Sequence, residues 1–545
     1  MVRSVSRCLA SFFGIFALLT MMSTQAVAAT YYIAANHPAA SDTNLGTSAT
    51  APWRTIGKAN QTVGPGDTVN IAGGTYVETI NPAASGTAIA RITYKGMAGE
   101  SVKLTGVAQC ITLNNRSYVT IDGITCDRTL SSYVTLNNSH HIWIANSRFD
   151  NCLNQNGWQD GFLLVSNSHH NWIHDNSISR VGYATATSSN GGVMRIGNCC
   201  ANGDNSHYNL IERNTLFYGG HHVLQIKTSY NIIRDNYFHN EEWMAWPDHP
   251  GTKAGHRLIV VEGGDVSPEN VQHNVIEGNI FAFSGRPPDA DGSNAVSIRA
   301  PNNIIRRNVF MNNDLAGLNL AAFSWPSDAS FTRVYHNTFF QNGYSVAASY
   351  KPFQAGLSLI RYDAAGLPIT DVVIKNNIFR QNNWDQAITY ELVSSAVQIV
   401  SQNWMESGDP RFVNVAATPD PFNPSLLDFR LRQDSPCVDA GGFLTQTTTS
   451  GSGRAIRVAD HRFFIDGFGI VEGDLIQLQG SSAKLRVLSI DSVAGVLNVD
   501  RDSSWSAGQG VTLAYEGSSP DIGAYELATN TTLPGAPTNL RIVAP

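Results

Sequence analysis

The sequence predicts an all-β chain wound as a right-handed parallel β-helix, with a short N-terminal capping helix and a small β-rich insertion near the C-terminal end. Three observations carry this. Charged residues are only 14% of the 545, while glycine (47) and asparagine are plentiful beside short aliphatic runs. That is the composition of many short strands joined by tight turns. Second, one motif recurs without gaps: His170-Asn-Trp-Ile-His-Asp-Asn176, Tyr208-Asn-Leu-Ile-Glu-Arg-Asn214, Tyr230-Asn-Ile-Ile-Arg-Asp-Asn236, His273-Asn-Val-Ile-Glu-Gly-Asn279 and Asn302-Asn-Ile-Ile-Arg-Arg-Asn308. Third, its spacing is elastic. The second asparagines, at 176, 214, 236, 279 and 308, stand 38, 22, 43 and 29 residues apart.

A constant motif on a variable period means a constant core with loops of changing length. Stacked coils lie about 4.8 Å apart, so identical asparagines fall above one another and hydrogen-bond as a ladder. Asparagine also tolerates left-handed backbone, so the ladder residues are expected at the bends. A hydrophobic residue generally follows two positions after the second asparagine (Leu216, Phe238, Phe281, Phe310) and is expected in the core.

The rest of the chain is read around this stack. Residues 1–29 read as a secretory signal, with Arg3 and Arg7, an apolar run from Phe12 to Met22, and Ala26-Val27-Ala28 for cleavage. A secreted or periplasmic protein is expected. No later stretch approaches the length of a membrane span. The β-helix is assigned to 30–450, with a helix near Trp53–Asn60 covering its first coil. Alternating runs such as Lys484-Leu-Arg-Val-Leu-Ser-Ile490 mark the β-rich insertion at 451–515, followed by a closing segment (516–527) and a linker-like tail (528–545). Net charge of −7 offers nothing to nucleic acid, and a monomer is expected. Beyond the signal six cysteines remain, which permits disulfides. Cys126 and Cys152 are read instead as buried thiols in neighbouring coils.

Tyr31-Tyr-Ile-Ala-Ala35, Pro52-Trp-Arg-Thr-Ile56 and Gly66-Asp-Thr-Val-Asn-Ile71 resemble the opening of secreted β-helix proteins. Asp428-Phe-Arg-Leu-Arg432 and Pro520-Asp-Ile-Gly-Ala-Tyr-Glu526 resemble their closing coils. The chain thus resembles the right-handed parallel β-helix superfamily, pectate lyase-like, which holds lyases, hydrolases, epimerases and adhesins.

Candidate chemistry lies in the strand before the repeat. Counting back four residues from the first asparagine gives Lys227 and Arg299, and the coil between offers Glu262. Strand alternation turns Gln225 and Lys227 outward, and likewise Ser297 and Arg299. Lys227, Glu262 and Arg299 are therefore expected in one outward column, read either as a solvated ion ladder or as a cleft. The spacings of 43 and 29 residues supply loops here, with Trp243 and Trp246 suited to stacking on sugar rings. Glu241, Glu242 and Asp248 are candidate oxygen ligands for Ca²⁺. The segment Ile226-Lys-Thr-Ser-Tyr-Asn231 resembles the stretch of the chondroitinase B/alginate lyase family that carries its base lysine. The resemblance implies Lys227 as base. The family's arginine position reads Val261-Glu262-Gly263 here, so Arg257 or Arg299 would stand in for it.

Elimination from a uronate needs a base for the α-proton and a cation for the carboxylate. The expected function is a polysaccharide lyase on an acidic polysaccharide. The alternatives are a glycoside hydrolase using Asp289, Asp291 or Glu262, or a non-catalytic glycan-binding or adhesion protein. His222, with His221 and His256, is a further acid/base candidate. The pairs His140/His141 and His169/His170 are read as turn residues, not metal ligands.

Overall fold

The computed structural model describes residues 28–153, 160–181, 183–185, 188–198, 204–241, 257–263, 271–285, 293–322, 328–344, 348–362, 368–383 and 386–527. Within them the chain winds as a right-handed parallel β-helix of three long sheets with 13, 12 and 10 strands. Sheet A runs from Thr30–Ile33 to Ile399–Ser401, sheet B from Gly74–Tyr76 to Trp404–Met405, and sheet C from Ile111–Asn114 to Ile388–Glu391. The repeat sets the register. Ile173, Ile211, Ile233, Ile276 and Ile305 are successive partners in sheet A. Phe238, Phe281, Phe310, Phe339 and Phe379 stack through sheet B with centroids 4.7–5.1 Å apart.

Two asparagine ladders hold the corners of sheet A. Asn171 donates its side-chain amide to Asn209, Asn209 to Asn231 and Asn231 to Asn274, at 3.0–3.1 Å. Asn176, Asn214, Asn236, Asn279 and Asn308 do the same at 3.0 Å, and the ladder continues through Asn337 and Asn377 to Asn403 at 2.9 Å. The reason expected for asparagine is corrected. The left-handed residue is the one before each ladder position, as at His170 (φ 53), Asp175 (φ 56), Tyr208 (φ 58) and Arg213 (φ 52). The amide side chains are selected because each accepts a backbone N–H and donates to a carbonyl of the coils beside it. The strain falls on the preceding residue, whose ring or charged side chain stands clear of the core. His141 and His170 occupy such positions and stack on one another with ring planes 8° apart.

A second correction concerns the cysteines. Cys126 is not a free thiol but is bonded to Cys110. Cys126 points inward from sheet B and Cys110 inward just ahead of a sheet C strand, so both sulfurs meet in the core. Cys152 is buried and unbridged, as is Cys437, and Cys199 and Cys200 lie outside the described residues.

The helix Ile56–Thr62 begins where Thr55 accepts the N–H of Lys58, and it buries Ile56 and Ala59. At the opposite end of the stack Val400 pairs with Ile374 and Met405 with Phe379, yet they are 36% and 40% exposed because no further coil follows among the described residues.

The C-terminal third covers two of the three outward faces. A six-stranded antiparallel sheet between Thr445 and Leu513 packs Phe463, Phe464, Ile465 and Ile476 against Leu210, Ile232, Val275 and Ile304 of sheet A. Phe412, Leu427, Phe429 and Ile522 close over Tyr237, Ile280, Val309 and Phe340 of sheet B. Neither covering cluster takes in a residue of sheet C.

Candidate functional site

Sheet C is where the charged column lies. Leu224, Ile226, Ile259, Val261, Val296 and Ile298 turn into the core, fully buried, so the alternate residues face outward. Ile226 is opposite Val261 and Glu262 opposite Arg299. Lys227, Glu262 and Arg299 therefore stand in consecutive coils. Lys227 Nζ lies 3.8 Å from Glu262 Oε1. Arg299 Nη1 donates to Glu262 Oε2 at 2.6 Å and Gln225 Nε2 to Oε1 at 2.8 Å. Burial alone would raise the Glu262 carboxyl, but Arg299 and Lys227 outweigh it and hold it down at about 2. The column sets two cations around one firmly ionised carboxylate.

Arg257 differs. It enters sheet C opposite His222 and makes no hydrogen bond to a carboxylate among the described residues. Burial lowers its guanidinium to about 10, and Arg299 beside it adds to the fall, against the weaker pull of Tyr362 and Glu262. Burial likewise raises the Tyr362 phenol, with Arg299 and Arg257 pulling it back. Asn319 Nδ2 reaches Tyr362 Oη at 3.5 Å and itself accepts from Ser358 at 3.1 Å. These groups extend the polar row toward the C-terminal coils.

On the other side lies a group that sequence reasoning missed. Asp160, 2% exposed, receives the Gly192 N–H at 2.6 Å. It stands 3.3 Å from Arg195 Nε and 3.6 Å from His222 Nε2. Burial would push its carboxyl up, but His222, Arg195 and the Gly192 N–H bring it below the ordinary value. Both His222 ring nitrogens and Arg195 Nε are buried without a hydrogen-bond partner. Arg195 is the outward neighbour of Gln225 in register, and its signal was the alternation in Val193-Met-Arg-Ile196. It escaped because 13 residues separate Ile196 from Asn209, so counting back four lands outside the strand. Asp160 precedes a strand that carries no repeat motif.

Glu241 is turned elsewhere. One carboxylate oxygen accepts from Tyr218 at 2.6 Å and the other is 2.7 Å from His239 Nδ1, both of which are on sheet B strands. Trp243, Trp246, Glu242, Asp248, His256, Asp289 and Asp291 lie outside the described residues. Among the described residues no group of three or more His, Cys, Asp or Glu side chains is placed to hold a metal ion.

Comparison with known proteins agrees on architecture. A family model described as "Right handed beta helix region" matches residues 109–295 and 192–359. No curated protein matches the chain significantly. Among solved structures, the chain is similar to pectate lyase Pel9A, at 14% identity over 92% of this chain and 97% of that one (TM-score 0.49). It is also similar to an alginate lyase from Paenibacillus sp. str. FPU-7, at 18% identity over 58% and 97% (TM-score 0.39). A third is the PL6 family polysaccharide lyase Pedsa3628 from Pseudopedobacter saltans, at 14% identity over 70% and 95% (TM-score 0.39).

Proposed function

We propose that the protein is an exported polysaccharide lyase that cleaves a uronate-containing chain by β-elimination on the outward face of sheet C. The observation that carries this reading is a charge imbalance. Among the described residues the face gathers Arg195, Lys227, Arg257 and Arg299 against two carboxylates, Asp160 and Glu262, each already engaged. A cation held in partial burial without a carboxylate is poised for one from outside. Among the described residues Arg257 is that group, and a bound uronate would stand as its partner.

Binding alone does not break the chain. Removing the proton α to the carboxylate builds negative charge on the carboxylate oxygens, and the preorganised guanidinium stabilises it as it forms. A base on the same face takes the proton, and the glycosidic oxygen then leaves from the adjacent carbon. The donor set expected for Ca²⁺ offers only Glu241 among the described residues, with both oxygens occupied, so no step is routed through a metal.

The test is the ultraviolet absorbance of an unsaturated uronate product, read with mature protein on pectate, alginate, glycosaminoglycans and a neutral glucan, with Ca²⁺ and with EDTA. Absorbance rising on an acidic chain and not on the glucan supports the reading. No rise on any acidic chain overturns it, and a reducing-end assay then distinguishes hydrolysis from binding.

A further inference from the structure

We infer that the proton-abstracting base is His222, oriented by Asp160, and not Lys227; the inference rests on the lyase reading above. Four observations converge on it. The His222 side chain is 6% exposed, and neither ring nitrogen has a hydrogen-bond partner. A buried polar group left unsatisfied in a native fold is rare and asks for a function or a missing ligand. Asp160 Oδ1 stands 3.6 Å from Nε2, and its negative charge favours the ring N–H on that nitrogen and the lone pair on Nδ1.

The arrangement is built into the backbone. Asp160 and His222 lie two coils apart, and the strand between them carries Gly192 at the crossing. A Cβ there would come within 2.5 Å of the imidazole and 2.9 Å of Asp160. The glycine is the space through which carboxylate and ring meet. On the far side Arg257 is the register partner of His222. Base and carboxylate-binding cation must be neighbours, because the abstracted proton sits on the carbon next to the carboxylate. Lys227 is instead engaged with an ionised carboxylate that Arg299 and Gln225 also hold. It supplies charge to the wall, not a lone pair.

The step balances without a co-reactant other than water. Nδ1 takes the C5 proton, and the electrons of that C–H bond become the C4=C5 double bond. The C4–O pair departs on the leaving sugar's oxygen, which takes a proton from water, and the imidazolium returns its proton to solvent. Among the described residues, Asp160 stands 3.6 Å from the ring, Arg257 is its register partner and the ring of His221 is edge-on to it.

The experiment compares wild type with His222→Gln, Asp160→Asn and Lys227→Met in the product-absorbance assay, with melting curves for each. His222→Gln should lower kcat by about a hundredfold or more. Asp160→Asn should lower kcat with KM nearly held. It should also move the acidic limb of the pH profile to lower pH, because the charge that favours the imidazolium is gone. Lys227→Met should cost less than about tenfold, the loss of one electrostatic contact. Should His222→Gln fail to fold, the pH shift in Asp160→Asn decides. Activity abolished in Lys227→Met and retained in His222→Gln, or an unmoved pH limb in Asp160→Asn, overturns the inference and leaves the lyase reading standing. A wild type inactive on every uronate chain fails at the earlier step, before any variant is compared.

Discussion

Sheets A and C each carry a row of charged residues on the outward face, and the two rows differ in how they close. On sheet A, Arg234 pairs with Glu212, and Arg306 with Glu277. Arg306 also makes two 2.7 Å hydrogen bonds to Asp474 of the covering sheet. The run Glu212, Arg234, Glu277 and Arg306 closes on itself, and the C-terminal sheet seals it through Asp474. On sheet C two cations share Glu262, and Arg195 and His222 share Asp160, while Arg257 has no carboxylate partner among the described residues. Compensated charge serves architecture and uncompensated charge awaits a ligand. A tally of charged residues does not separate the two rows, whereas their pairing does.

This contrast can be broken most directly at Arg257. Arg257→Met should cost about a hundredfold or more in kcat/KM on a uronate chain, while thermal stability changes by no more than about 1 kcal/mol. A large loss of stability would mean that its row is closed like the other. Arg306→Met is the mirror experiment. It strands Glu277 and Asp474 beneath the covering sheet and should destabilise by about 3–5 kcal/mol in chemical denaturation, without a direct effect on catalysis.

A smaller effect is expected in the ladder. Asn236→Ala removes the acceptor for the Asn214 backbone and side-chain amides and the donor to Ile211 and Asn279. The expected cost is about 1–3 kcal/mol for the groups left unsatisfied. The smallest is a pH effect at the imidazole column. His141 and His169 are lowered to about 4, by burial first and by neighbouring histidines second. Their unfolded forms bind protons near 6.5, so stability from these rings is present above that value and is lost as pH falls from about 6.5 to 4. Melting temperature followed over that range, in wild type and in His141→Gln, checks the sign.

The parts of the molecule legible in the sequence are those that repeat. Asn209 and Asn214 announce a coil because the same pair returns at 231 and 236, and register follows from the isoleucines between them. The column of Lys227, Glu262 and Arg299 was within reach for the same reason, being placed by counting from a ladder. Asp160 and Arg195 were not, since their coils stray from the repeat. The tie from Asp160 to His222 also depends on the empty space at Gly192, which no periodicity marks. The disulfide was hidden likewise, because Cys110 and Cys126 sit in different sheets and meet only once the coil has closed. Glu241 shows the opposite failure. An acidic residue in a long loop suggested a cation ligand, and the fold commits both of its oxygens to Tyr218 and His239.

The open last coil has a consequence for how the molecule comes apart. In a stack where each layer rests on its neighbours, loss of order begins at the layer with fewest contacts and moves inward. The helix at residues 56–62 protects one end, and at the other Val400 and Met405 stand against solvent. Just inside that end the returning chain is stitched down, with the Gly523 N–H on the Asn376 carbonyl and the Ala524 N–H on Thr338. Fraying from the open end thus meets a tether after about one coil, and the coils that bear His222 and Arg257 lie several layers deeper. Hydrogen exchange should run fastest at residues 388–405 and slow sharply from 378 inward, leaving the charged face around His222 and Arg257 insulated from the wear at the terminus of the stack.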